Sequence, residues 1–491
     1  MKRIIALALA MVLVVALVGC GEKKRQPIQL TLSTEDSEAI LRAAGIALPD
    51  PAEVGKAGKV TWLSWMDPFQ NYDEGEIVNT GYYTYQHRYG GDLDWRETLY
   101  ADMNDTLATL VIGGTSPDMT LAGTSNTATF PLNCLKGMYQ PVDQWIDYEN
   151  DPLWSGIKDA ADYFALGSKH FAMVYDIVFK DVIPYNRRVM NEWGFDDPAE
   201  LFYADQWTWD VFAEMCRSFS DPDENRYALD GWYYVIGLAE ESTGQYMIEK
   251  DENGQYYSNL DDPYIEVAMN LIYDLVKDEC TYHEGNDWWA RRGGVSGTGV
   301  TQGDCLFCPI NIEAAFMQPV ADIAALWGDM TEEECMFVPF PRYQNGDGNY
   351  YINSQPTGYM LCAGAPNPNG ATLLASCMRF KVIDPTVIDI DERLLRETYL
   401  WTDEMINMFK TCEEIAAANV SMFYTGNLPT NLQNAYDTLQ WRINRTGGQY
   451  TWAQLKEEYS DQIDYYLVNL NDTLAKYAET GESIYGMDET V

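Results

Sequence analysis

Cys305-Leu-Phe-Cys308 is the one close cysteine pair in the chain, so metal or redox chemistry is sought there first. Thiolate-bound zinc wants a second such pair or histidines nearby. Only three histidines exist, and none adjoins the pair. A redox pair wants its motif opening a helix, and Pro309 follows instead. The pair therefore reads as structural. Other patterns fail at single positions. Gly294-Val-Ser296-Gly297-Thr298 lacks the last glycine of a hydrolase nucleophile elbow. His283-Glu284 has no second histidine to complete a metalloprotease helix. Asp221-Pro-Asp223-Glu-Asn225 begins like a calcium loop, but Arg226 takes the glycine place and Trp232 the glutamate place. Gly55-Lys56 and Gly58-Lys59 are not followed by Ser or Thr, so no phosphate loop exists, and Gly297-Thr-Gly299 lacks the third glycine of a dinucleotide loop. Paired carboxylates could hydrolyse a glycosidic bond, but with 75 acids spacing cannot nominate a pair. The chain reads as a non-enzyme, with no catalytic residue, cofactor or metal.

The elements that would position any site lie in a strongly acidic chain. It has 491 residues and a net charge of -43, which repels nucleic acid and anionic headgroups. A hydrophobic fraction of 46% is that of a globular protein, so the acidity belongs to the surface. Lys2 and Arg3 precede an apolar run, Ile4 to Ala16, which is too short to span a bilayer comfortably. Residues 1–19 read as a signal peptide. Leu17-Val18-Gly19-Cys20 resembles a bacterial lipobox, which implies a diacylglyceryl thioether on Cys20. That places the protein on the extracytoplasmic face of the cell membrane, held by lipid. Residues 20–58 read as a tether, with room for a short helix over Ser33 to Leu48, and the compact part starts near Lys59. Nine cysteines follow Cys20, an odd number in mostly apolar contexts, which suits small buried hydrophobes.

About 430 residues remain, more than one core usually serves, so two lobes are expected. Val60 to Trp65 reads as a strand and Tyr82 to Tyr89 as a second. Asp94-Trp-Arg-Glu97 reads as a capping box opening a helix that carries Leu99, Met103, Leu107 and Leu110 and stops at Gly113-Gly114. Pro117 to Ala122 is a strand, and Gly123 to Thr127 a polar loop. Ligands bind beyond the carboxyl ends of strands in such α/β units, which marks Trp65 to Asp67 and Gly123 to Thr127 as site loops. Phe171 to Phe179 is an apolar strand, and Gly194 ends a helix. In Trp207-Thr208-Trp209-Asp210, Thr208 stands as a helix N-cap and Trp207 with Phe212 as a hydrophobic staple. The grammar returns at Thr451 and Gln454. Asn253-Gly254 turns a hairpin. Asp262-Pro263 opens a helix with a buried stripe at Ile265, Met269, Ile272, Leu275 and Val276. Cys335 to Phe340 and Gly358 to Ala363 are strands. Ala371 to Phe380, Asp391 to Phe409, Thr411 to Asn419 and Thr451 onward are helices.

Several segments in this order together resemble the bacterial extracellular solute-binding proteins of ABC importers, carbohydrate-binding group. They are VTWLSW, GGTSPDMTLAG, GMYQPVDQWI, IPYNRRVMNEWGFDDP, Trp207 to Asp210, DENGQYYSNLDDPYIEVAMNLIYDL and FVPFPR, spread over most of residues 59–491. Arg187 stands where the family has a lysine, and Asp304-Cys305 falls in the place of its Gly-Lys-Ala-Met strand. The resemblance implies an α/β, two-lobed periplasmic-binding-protein fold with a hinge and an interlobe ligand cleft. The N-terminal lobe would comprise 59–171 and 358–410, and the C-terminal lobe 172–357 and 411–491. Crossings would lie near Phe171, Gly358 and Lys410. It implies capture of a sugar or oligosaccharide by a monomer and delivery to ABC transporter permease subunits. Sugars sit against aromatic faces with a few planar polar groups. The cleft candidates are therefore Trp65 and Asp67, Ser125 and Asn126, Trp232 and Tyr233, Trp288 and Trp289, and Asn311 and Glu313. Trp62 and Trp95 read as packing, and Arg291 and Arg292 as charges that offset local acid. The alternatives are a surface glycoside hydrolase and an adhesive lipoprotein.

Overall fold

Ser33 caps helix α1, Thr34–Ala47, its hydroxyl accepting a hydrogen bond from Asp36 N. The computed structural model describes residues 32–65, 79–122, 130–230, 234–282, 298–312, 316–317, 330–419, 428–445 and 447–480. Ile40, Ala44 and Leu48 are buried in the first core. The expected tether is thus corrected: its latter part is packed structure, because those apolar residues repeat every four and face one side.

Strand β1, Lys59–Ser64, follows. Helix α2, Thr80–Tyr89, overturns the strand expected at 82–89. Its tyrosines have strand propensity, but Tyr82, Tyr85 and Tyr89 share one helical face and are buried together. Asn79 caps it by accepting from Tyr82 N, and Gly90 ends it in the left-handed region at φ 62. Strand β2, Asp92–Glu97, overturns the capping box at Asp94 to Glu97. Those residues pair in parallel with β1, with Trp95 opposite Trp62. The helix begins later, as α3, Met103–Ile112. Strand β3, Met119–Ala122, lies parallel on the other side of β1. Ala165–Leu166 (β4) and Lys169–His170 (β5) form a small hairpin. Strand β6, Ala172–Val178, completes the elements of the first sheet that precede the first crossing.

After Phe179 and Lys180 the chain enters a second core with β7, Asp181–Asn186, and α4, Arg187–Trp193. Helix α5, Trp209–Phe219, begins on the second tryptophan of Trp207-Thr208-Trp209. Strand β8, Tyr227–Leu229, and helix α6, Tyr234–Glu241, lead to a hairpin of β9, Ile248–Lys250, and β10, Tyr256–Ser258. Helix α7, Pro263–Lys277, has its expected stripe buried. Strand β11, Cys305–Phe307, pairs in parallel with β8. Strands β12, Ile310–Asn311, and β13, Cys335–Val338, flank β7 on either side, both antiparallel.

Strand β14, Gln355–Leu361, returns to the first sheet, whose order is β2-β1-β3-β14-β6. Gly358 sits at a register shift against β6, where a Cβ would meet Met173 O at 2.4 Å. Helices α8, Pro368–Ile383, and α9, Pro385–Tyr399, follow. The helix expected over Asp391 to Phe409 is broken at Leu400, which has φ 58. Thr402 then caps α10, Asp403–Ala418, and Trp401 is buried with its Nε1 donating to Phe316 O. Ile390 and Leu394 pack in the first core, and Tyr399, Trp401 and Met405 in the second. The third crossing therefore lies before Tyr399 and not near Lys410. Helix α11, Thr430–Arg445, was not expected, and α12, Trp452–Thr480, was.

Candidate functional site

Each core contains a pair of parallel strands whose carboxyl ends lead along the chain to nominated residues. In the first, β1 and β3 run parallel and lead to residues 65–67 and 123–127. In the second, β8 and β11 run parallel, with Tyr227 opposite Cys305 and Leu229 opposite Phe307. Their ends lead to 231–233 and to Asn311. Parallel strands present their carboxyl edges to ligands because side chains and loops there are free of the crossover helices.

Two nominated residues lie among those described. Trp65 is half-buried at the end of β1, with its ring edge-on to Tyr100 at 5.0 Å. Tyr100 is 41% exposed and gives this edge a second aromatic face. Trp95 supports the strand end by donating from Nε1 to Ser64 O at 3.1 Å. Asn311, half-buried, pairs across the ladder with Asp181. Asp67, Ser125, Asn126, Trp232, Tyr233, Trp288, Trp289 and Glu313 lie outside the described residues, as do Arg291, Arg292 and Cys20.

The structure adds polar groups that the sequence reading missed. Asp181 is 7% exposed at the head of β7, and burial pushes its carboxyl up to about 6, partly opposed by Lys180. Glu241 ends α6 and is 3% exposed. Burial, then the neighbouring charges of Asp181 and Glu240, push its carboxyl well above the ordinary range. Glu240 is also buried but is fully engaged: it accepts from Met247 N at 2.7 Å, Tyr436 Oη at 2.6 Å and Gln440 Nε2 at 3.2 Å. Asp181 was legible only as an acid just after an apolar strand. Nothing local in the sequence marks Glu241.

Other chemistry-bearing residues are structural. Trp207 is fully buried, donates from Nε1 to Pro339 O at 3.0 Å, and meets Phe212 edge-on at 5.9 Å. Trp209 donates to Ser242 Oγ at 3.1 Å. Thr208 occupies the N-cap position, but its hydroxyl makes no capping bond. The helix start is instead held by backbone pairing to Arg342, with Trp209 N donating to Arg342 O. The box at Thr451 does form, through Gln454 N to Thr451 Oγ1 and Thr451 N to Gln454 Oε1. Cys305 and Cys308 are buried thiols pushed well up by burial, and Cys305 donates to Phe307 O at 2.9 Å. Among the described residues no three His, Cys, Asp or Glu side chains group to hold a metal. Arg187 joins Asp197 at 2.6 Å and Glu404 by two bonds, fixing α4 to α10.

A cavity of about 480 Å³ takes lining from both cores, among them Phe130, Lys169, Lys250, Tyr256 and Tyr477. Neither of the two described nominees, Trp65 and Asn311, is among those lining residues.

No family model and no curated protein matches this sequence. Solved structures do match. An ABC substrate-binding protein of Listeria monocytogenes in complex with cycloalternan aligns over 83% of this chain and 98% of its own, at TM-score 0.57 and 14% identity. The galacto-N-biose/lacto-N-biose I-binding protein of a Bifidobacterium longum ABC transporter, with lacto-N-biose, aligns over 85% and 98%, at 0.58 and 13%. An extracellular solute-binding protein of Staphylococcus aureus with maltose aligns over 84% and 98%, at 0.58 and 12%. The chain has the two-lobed α/β fold of these proteins.

Proposed function

We propose that the chain captures a carbohydrate between its lobes and delivers it to the permease of an ABC importer. The observation that carries this reading is the placement of two parallel-strand edges, one in each lobe of this fold. One ends in the Trp65–Tyr100 aromatic pair and the other leads to Asn311. The fold itself supports it, since the matched structures hold cycloalternan, lacto-N-biose and maltose. Hinge closure on a solute then needs no bond-making chemistry. The remaining nominees, Asp67, Ser125, Asn126, Trp232, Tyr233, Trp288, Trp289 and Glu313, complete the cleft in this reading. The first lobe takes residues 34–178 and 355–394, and the second 179–354 and 395–480. Cys20 carries the lipid that keeps the monomer beside its permease.

A thermal-shift and calorimetric screen with mono- and oligosaccharides tests the reading. Ligand bound only by the native state raises the melting temperature by linkage. Stabilisation without release of new reducing ends is expected. Turnover would replace the reading with a glycosidase, and no response to any carbohydrate would remove it.

A further inference from the structure

The cavity of about 480 Å³ stands apart from the aromatic edge at Trp65. Strand β6 enters the first sheet at Ala172, opposite Met360, and leaves it at Val178, opposite Gln355. Met360 also faces Thr120, and Gly358 faces Ala122. Ala172 therefore lies toward the end of the sheet away from the carboxyl ends of β1 and β3. The β4–β5 hairpin, which lines the cavity, joins β6 at that far end.

In a chain with 75 acids and 32 bases, the described lining residues include two lysines, Lys169 and Lys250, and no Asp or Glu. Strand alternation produces this sorting in the second lobe. Across the β9–β10 hairpin, Tyr256 pairs with Lys250 and Tyr257 with Glu249. Lys250 and Tyr256 line the cavity, with Nζ 5.7 Å from the Tyr256 ring. The opposite face carries Glu249, which accepts from Tyr257 Oη at 2.9 Å and from Tyr246 N at 3.1 Å. Asp251 is held in the turn, accepting from Asn253 N at 2.9 Å and Gln255 N at 2.8 Å. Among the described residues no carboxylate pairs with Lys250, and burial pushes its ammonium below the ordinary lysine range. The walls are fixed. Asn471 of α12 donates to Tyr256 O at 2.7 Å and accepts from Tyr256 N at 2.9 Å. On the first lobe, His170 meets Asp143 at 2.7 Å and Asp162 at 2.9 Å, which engages both acids beside the hairpin that bears Lys169.

A desolvated ammonium without a counter-charge is stabilised by an anion that both pairs with it and accepts its hydrogen bonds. Phe130, Leu474 and Tyr477 offer apolar wall to an organic body, and the volume falls within the range of small-molecule sites. We propose that this cavity is a second binding site, taking a small organic anion whose carboxylate or phosphate meets Lys250, with the exposed Lys169 across from it. The site is independent of the carbohydrate reading, because it shares no described residue with the nominated cleft.

The test is calorimetry on the mature chain at neutral pH with phenyl phosphate, glucuronate, inorganic phosphate and neutral glucose. The unaltered protein is compared with Lys250→Gln and Lys169→Gln. Phenyl phosphate or glucuronate is expected to bind, and the tighter of the two names the headgroup. Lys250→Gln is expected to weaken that binding at least about tenfold, as when a charged hydrogen-bond partner is removed. Lys169→Gln is expected to weaken it less, and neither variant to change the response to glucose. Melting without ligand is followed in parallel. A merely structural Lys250 would shift the melting temperature and leave anion affinity of the folded protein unchanged, which overturns the inference. Anion binding that both variants leave intact also overturns it and assigns those anions to another site. Inorganic phosphate binding as tightly as the organic anions overturns the ligand class. Silence from every anion overturns the inference while the carbohydrate reading survives.

Discussion

Replacing Glu240 with Gln should change how stability depends on pH, and the structure gives the size. Burial pushes this carboxyl from its ordinary 4.5 up to about 7, against the three hydrogen bonds it accepts. Folding therefore takes up a proton between those values. Stability tied to the protonated form is fully present below pH 4.5 and is lost as pH rises through 7. The loss amounts to roughly 3 kcal/mol at pH 8.5, because each pKa unit corresponds to about 1.4 kcal/mol. Glutamine carries no proton to lose. It keeps an acceptor for Met247 N but turns an amide toward Gln440 Nε2, which forfeits about 1 kcal/mol of hydrogen bonding. The variant should thus be about 1 kcal/mol less stable than the parent at pH 4.5 and about 2 kcal/mol more stable at pH 8.5. Urea unfolding at both pH values, followed by tryptophan fluorescence, measures this. Parallel pH profiles for the two proteins would refute the reasoning.

Three further outcomes follow from the packing. Trp207→Ala removes a fully buried indole and its bond to Pro339 O, and should cost about 3–5 kcal/mol in unfolding experiments. It should leave ligand affinity of the folded protein intact. Gly358→Ala drives a Cβ to 2.4 Å from Met173 O at the β14–β6 register shift. It should cost about 1–3 kcal/mol, read as a lower melting temperature. Trp65→Ala removes half of the aromatic pair with Tyr100, and should weaken carbohydrate binding about tenfold, near 1.4 kcal/mol, by calorimetry.

The parts legible in the sequence are those whose cause is local. Asp262-Pro263 announces α7 because a carboxylate cap and a proline both suit a first turn, and Asp262 does accept from Tyr264 N. Asn253-Gly254 turns its hairpin because glycine takes φ 79 without cost. Trp207 and Phe212 meet as a staple for the same local reason. The misreadings arose where partners distant in sequence decide. Asp94 to Glu97 has the letters of a capping box, but six residues of β1 offer it a parallel ladder. Tyr82 to Tyr89 looks like a strand until its tyrosines find one face of a shared core. Leu400 breaks a continuous helical pattern because Trp401 has a pocket and an acceptor in the second lobe. The same limit governs the site. Trp65 and Asn311 could be placed by strand ends, whereas the burial of Asp181 and Glu241 follows from packing that no local pattern announces.

Small-angle scattering of the mature chain during titration with a sugar identified by calorimetry tests the central claim most directly. The account predicts one sugar per chain, a smaller radius of gyration on saturation, and recovery of the same sugar unchanged. A chain that binds no carbohydrate, or that releases a cleaved product, would contradict it.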